Sequence, residues 1–118
     1  MKLSCLFLFG LALAHGADLL QQAAAHAAPK INPFDDDNRA RRAGAKLFAR
    51  ECAACHGEDA RGIGKAPALR RADVEQAAPG TLFWILKNGS LYRGMPSFAH
   101  LPEQQRWQIV TFLKSLNK

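Results

Sequence analysis

Apolar positions along the chain follow helical spacing almost throughout. Ala40, Ala43, Gly44, Leu47 and Phe48 recur at i, i+3, i+4, i+7 and i+8, which places them on one face of a helix over residues 38–50. Arg39, Arg41, Arg42, Lys46 and Arg50 lie mostly off that face. Asp37 or Asn38 can cap its start, and Asp35, Asp36 and Asp37 suit the positive end of its dipole. Gly44 in mid-helix costs about 1 kcal/mol against alanine, and suggests that another helix approaches closely there. A loop with Gly57, Gly62 and Gly64 then closes at Pro67. A short helix is expected next, with Asp73 as cap, Gln76 three residues later and Pro79 as its end. Thr81 to Asn88 reads as a helix that stops at Gly89. Leu82, Phe83, Trp84, Ile85 and Leu86 make it apolar nearly all round, so it should be buried on several sides. After a loop with Gly94 and Pro96, Pro102 suits the first turn of a last helix that reaches about Asn117. Ile109, Phe112, Leu113 and Leu116 form its apolar face, and Trp107 and Val110 broaden it. No segment alternates with period two and nothing repeats, so the expected fold is all-α, with four to five short helices.

The first residues have a different pattern. Met1-Lys2 is a short positive start, and Leu3 to Ala14 is a run of twelve residues without a charge. That suits the core of an export signal and is short of the ~20 apolar residues a membrane span needs. Cleavage after Ala14, Gly16 or Ala27 would follow small residues. Leu3-Ser4-Cys5 precedes the hydrophobic run rather than following it, so it is not a lipoprotein box. The chain therefore divides into a signal and linker start over 1–27, a linker over 28–37 and a folded domain over 38–118. His15 and His26 fall before that domain and are poor candidates for a built site. The protein is expected in the periplasm, with membrane attachment only if the signal is retained as an anchor.

Composition limits the class. A leader ending at residue 27 leaves 91 of the 118 residues, one small domain. That rules out a multidomain enzyme or a large doubly wound sheet with a nucleotide crevice. So short a chain buries a thin core, which a metal, disulfide or prosthetic group often completes. Apolar residues make up 48% and charged residues 22%, an ordinary globular balance. The formal net charge of +6 favours docking on an acidic protein face or an anionic membrane surface. The Lys and Arg residues are spread out rather than gathered in one basic run, so no nucleic-acid partner is expected.

Of three cysteines, Cys5 lies in the leader, and Cys52 and Cys55 stand in Cys52-Ala53-Ala54-Cys55-His56. Cys-x-x-Cys-His is the attachment signature of c-type haem. Helical residues i and i+3 share a face, so the two thiols can reach the two vinyl groups on one porphyrin edge. His56 then falls beneath the ring with its imidazole toward iron. A zinc site normally takes four ligands, often as two pairs, and no second pair exists. A thioredoxin-like pair expects a βαβ setting, which is absent. A plain disulfide leaves His56 unexplained. Met95, in the stiff loop Arg93-Gly94-Met95-Pro96-Ser97-Phe98, is the candidate for the sixth ligand, with His100 as its competitor. An axial histidine's second ring nitrogen needs an acceptor, and the carbonyl of Pro67 is the candidate.

These residues resemble a class I c-type cytochrome of the small single-haem type. The resemblance covers roughly residues 38–118. It rests on CAACH at 52–56, APAL at 66–69, GMPSF at 94–98 and WQIVTFL at 107–113. It implies a cytochrome c fold, a small helical shell around one haem c attached through Cys52 and Cys55. It also implies a crossing of the first and last helices at Gly44, Phe48 and Phe112, and makes Pro67 the partner of the axial histidine. LFWILKNG and LPEQQRWQIV are similar to small cytochromes that serve, or are fused to, periplasmic dehydrogenases.

The implied function is that of an exported one-electron carrier, not an enzyme. Its partners would be a periplasmic dehydrogenase or reductase on one side and a terminal acceptor or oxidase on the other. Iron held by His56 and Met95 has no open position, and a thioether ligand raises the potential. Leu69, Trp84, Ile85 and Trp107 are expected to line the haem, in an apolar cleft between the CAACH helix and Met95. Electrons would pass at the edge near Cys52 and Cys55. The alternative is a ligand-binding or peroxidase-like haem protein with a labile sixth ligand, for which Arg93 and His100 are the only nearby acid–base candidates. A third reading is a domain that works only while tethered to a membrane complex.

Overall fold

Gly44 is the point where the two longest helices cross. The computed structural model describes residues 18–118, and in it α2 (Asn38–Glu51) packs against α6 (Glu103–Ser115). A Cβ added at Gly44 would lie 2.0 Å from the carbonyl oxygen of Gln108 and 2.8 Å from Cβ of Phe112. Only a glycine admits this approach. One turn on, the rings of Phe48 and Phe112 meet at 5.2 Å and 49°. Ile109 and Val110 are wholly buried beneath the crossing. Asp37 caps α2 as expected, its Oδ1 accepting the amides of Arg39 and Ala40 at 2.8 and 3.0 Å.

Between these helices lie α3 (Ala53–His56), α4 (Ala72–Gln76) and α5 (Pro79–Asn88), then a single 3₁₀ turn, Leu91–Arg93. Pro79 opens α5 rather than closing α4, since a proline at the first helical position loses no helical hydrogen bond. Gly89, at φ 62°, stops α5 as expected. Leu82, Phe83, Ile85 and Leu86 are buried, and Phe83 stacks on Trp107 with centroids 4.0 Å apart. Asp73 does not cap α4. Arg71 takes that position, and its guanidinium holds the Asp73 carboxylate in the first turn at 2.8 and 2.5 Å. Pro102 stands just before α6, which ends at Ser115.

The segment before residue 38 departs from expectation. It is not a free linker. Residues Leu19–His26 form a further helix, α1, capped by Asp18, whose Oδ1 accepts the Gln21 amide at 2.9 Å. Ala23 is wholly buried, Leu20 packs against the core, and α1 lies along α5. The next stretch is pinned by a polar residue. Asn32, 4% exposed, donates through Nδ2 to the Thr111 hydroxyl at 2.9 Å and accepts the Phe34 amide at 2.9 Å. The signal core expected over residues 3–14 lies outside the described residues. Among the described residues there are six α-helices and no strand, and no helix is long and apolar enough to cross a membrane.

Candidate functional site

The single turn α3 sets the spacing of the two thiols. The carbonyl of Cys52 accepts the amides of Cys55 and His56 at 3.2 and 3.0 Å, so Cys52 and Cys55 stand one helical turn apart. Both thiols are free; Cys52 is buried and Cys55 exposed. Burial, with added repulsion from Glu51 and Cys55, pushes the Cys52 thiol up to about 11. Gly57, at φ 85°, ends the turn directly after His56.

A tight loop then returns to His56. Its Nδ1 lies 2.8 Å from the carbonyl oxygen of Pro67. The carbonyl can only accept, so Nδ1 carries a proton, and in the neutral imidazole Nε2 then has the lone pair. Two further bonds hold the loop: the Gly62 amide on the His56 carbonyl and the Leu69 amide on the Ala60 carbonyl, both at 2.7 Å. Gly62, at φ 90°, sits under this return. A Cβ there would fall 2.8 Å from both the Ala66 carbonyl oxygen and the Ala68 amide nitrogen.

Met95 is held from the end of α5. Ser90 and Met95 exchange backbone hydrogen bonds of 2.8 and 3.0 Å, closing a short hairpin. The Phe98 amide reaches the Leu86 carbonyl at 2.7 Å, and the Ser97 hydroxyl donates to the Lys87 carbonyl at 2.5 Å. A Cβ at Gly89 would lie 2.6 Å from the Pro96 carbonyl and 2.7 Å from that of Met95, so the glycine lets the hairpin fold back on the helix. Met95 itself is half-buried against the core. His100 is exposed, its ring 6.0 Å from that of Phe98.

Cys52, Leu69, Met95 and Trp107 all belong to or pack on one apolar cluster. Ile85 is buried outside that cluster. Trp84 is half-buried and stacks on His26 of α1 at 5.8 Å and 18°. His26 thus belongs to the folded part, although it precedes residue 38. Arg106 was also missed. It is buried, donates through Nε to the Leu101 carbonyl at 3.3 Å, and lies 4.7 Å over Phe83, with one guanidinium nitrogen lacking a hydrogen-bond partner.

Two cavities stand out among the described residues. One, of about 280 Å³, lies between Asp35, Asp37, Arg41, Lys114 and Lys118. The other, of about 270 Å³, lies between His26, Lys30, Phe83, Trp84, Lys87 and Asn88. Neither lies between the CAACH turn and Met95, where Leu69 and Met95 pack against the core. No group of three or more His, Cys, Asp or Glu side chains is gathered as a metal site among the described residues. The donors present fit a haem by their chemistry: two free thiols one turn apart, an imidazole with Nδ1 engaged and Nε2 available, and a thioether on a stiff hairpin.

Residues 39–113 match the family model described as cytochrome C oxidase, cbb3-type, subunit III. Two crystal structures share the fold. Cytochrome CL from the marine methylotrophic bacterium Methylophaga aminisulfidivorans MPT aligns with a TM-score of 0.59 at 23% identity, over 89% of this chain and 72% of its own. The c-type cytochrome XoxG from Methylobacterium extorquens AM1 aligns with a TM-score of 0.59 at 22% identity, over 86% of this chain and 74% of its own. No curated protein matches the chain at a significant level.

Proposed function

The chain belongs to the c-type cytochrome family whose model spans residues 39–113, and on that footing we propose that it is an exported, single-haem carrier of one electron at a time. Cys52 and Cys55 would hold haem c through thioethers, and His56 and Met95 would supply the donors to its iron. When bound, haem supplies reversible one-electron chemistry at iron between the ferric and ferrous states.

The protein's own residues set the conditions for that exchange. Pro67 fixes the imidazole of His56 through the 2.8 Å bond, which also raises its basicity. The Ser90–Met95 pairing and the closeness of Gly89 hold the thioether in one place. The apolar cluster of Leu69, Trp107 and their neighbours keeps water from the site. The observation that carries this reading is the His56–Pro67 bond beside two free thiols one turn apart. Arg93 reaches Gln22 at 3.2 Å and His100 is exposed, which favours the carrier over peroxidase-like chemistry, where a placed acid–base pair is needed.

The family's description supports a terminal oxidase as the class of acceptor, and a dehydrogenase or reductase is the donor class. Export to the periplasm rests on the charge-free run over residues 3–14. Of the three cleavage points, the one after Ala27 would strip α1 from α5. The buried Ala23 supports a cut after Ala14 or Gly16. The test is export from a host that matures c-type cytochromes, followed by a denaturing gel and a redox titration. One haem per chain, retained through denaturation and titrating as a single reversible one-electron couple, supports the proposal. Absence of covalent haem overturns it.

A further inference from the structure

The hairpin that carries Met95 ends in two exposed apolar side chains. Leu91 is 82% exposed and Tyr92 98%. Single exposed apolar residues are ordinary, but these two are adjacent and held outward. The tip is stiff. The Arg93 amide bonds the Ser90 carbonyl at 2.9 Å, the Gly94 amide bonds the Leu91 carbonyl at 3.0 Å, and the Ser90–Met95 pairing closes the base. Gly94 takes the left-handed conformation, φ 82°, that the turn requires.

The hairpin and the helix before it carry no acidic residue. From residue 76 to residue 102 the chain has no Asp or Glu, while Lys87 and Arg93 are present. The cavity of about 270 Å³ beside α5, the helix from which the hairpin springs, is lined by Lys30 and Lys87 with no carboxylate among its walls. Lys30 Nζ lies 5.0 Å over the Phe83 ring, which helps fix it there.

We propose that the Leu91–Tyr92 tip, with the lysine-lined groove along α5, is where a redox partner protein docks, and that the partner presents an apolar socket rimmed by carboxylates. The inference rests on the electron-carrier reading above. A small apolar anchor with a basic rim suits a brief encounter, in which charge steers the approach and little area is buried. A tyrosine at the centre of such a contact is a frequent anchor. The concave groove favours protruding carboxylate side chains over the flat headgroup layer of a membrane. Seated here, the partner lies only a few residues along the chain from Met95.

The test uses the haem-loaded protein and two variants, Leu91→Ser/Tyr92→Ser and Lys30→Glu/Lys87→Glu. Reduced protein is mixed with washed membranes of the source organism, and oxidised protein with its periplasmic fraction under reducing substrate. For the Leu91→Ser/Tyr92→Ser protein at least one of the two rates should fall tenfold or more, while its optical spectrum and its exchange with hexacyanoferrate stay at parent values. For the Lys30→Glu/Lys87→Glu protein the same rate should fall and lose most of its salt dependence. Parent rates in both variants at every salt concentration would overturn the proposal. So would variants that lose only their sedimentation with phosphatidylglycerol vesicles, which would make the tip a membrane contact. Failure of the parent protein to hold haem, or to exchange with hexacyanoferrate, would instead strike the electron-carrier reading itself.

Discussion

Nδ1 of His56 and the carbonyl oxygen of Pro67, eleven residues apart in sequence, are 2.8 Å from each other. Because the acceptor is backbone, the bond depends on the path of the loop rather than on any one side chain. That path depends on Gly62, whose amide is bonded to the His56 carbonyl and whose Cα passes under Ala66 and Ala68.

Gly62→Ala should therefore act on the histidine from a distance. An alanine at φ 90°, with its Cβ 2.8 Å from two backbone atoms, is strained and pushes the loop outward. The expected loss of stability is about 1–3 kcal/mol. The weakened Nδ1 bond lowers the basicity of the ligand and so raises the potential of the haem-loaded protein. Urea denaturation and a redox titration of the same sample check both parts.

Met95→Ala should leave covalent attachment intact, since Cys52 and Cys55 are untouched. The iron should then accept carbon monoxide in its ferrous state, and the potential should fall. Unchanged spectrum and potential in this variant would show that another residue is the sixth ligand.

Gly44→Ala tests the helix crossing. Its Cβ would overlap the Gln108 carbonyl oxygen at 2.0 Å, and backbone cannot rotate out of the way. Separation of α2 from α6 should cost about 1–3 kcal/mol or more. Thermal unfolding of the haem-loaded protein checks it, and an unchanged Tm would mean that the helices do not cross as closely as described.

Cys52 gives a pH signature in the haem-free chain. Its thiol is pushed from 9.0 to about 11 by burial, with repulsion from Glu51 and Cys55 adding to it. The folded state then holds a proton that the unfolded state gives up. Stability is complete below pH 9.0 and declines as the pH rises toward 11. In a Cys5→Ser background, iodoacetamide at pH 8 should alkylate exposed Cys55 well before Cys52. Only roughly one Cys52 in a thousand is thiolate at that pH. Mass spectrometry of a labelling time course reads the order.

The chemistry-bearing residues were legible because short motifs carry them. CAACH fixes both thiols and the histidine within one turn, and Gly94-Met95-Pro96 marks a stiff loop by its composition alone. A glycine in the middle of an apolar stripe marked a close helix approach, and the resemblance to c-type cytochromes named the last helix as the partner. What precedes residue 38 was not legible. Asn32 and Thr111 meet across 79 residues through a single 2.9 Å bond, and periodicity holds no trace of such a pair. Helix α1 has too few large apolar residues to show a stripe, and its burial comes from a neighbour, α5, whose excess of apolar surface was visible without its partner.

The most direct test of the central claim is the optical spectrum of the exported protein, recorded in both oxidation states and again for the ferrous protein under carbon monoxide. His56 and Met95 on iron predict a low-spin haem with a sulfur–iron charge-transfer band in the ferric state and no spectral change under carbon monoxide. A high-spin haem, or ready binding of carbon monoxide, would contradict a six-coordinate electron carrier and point to an iron with an open face.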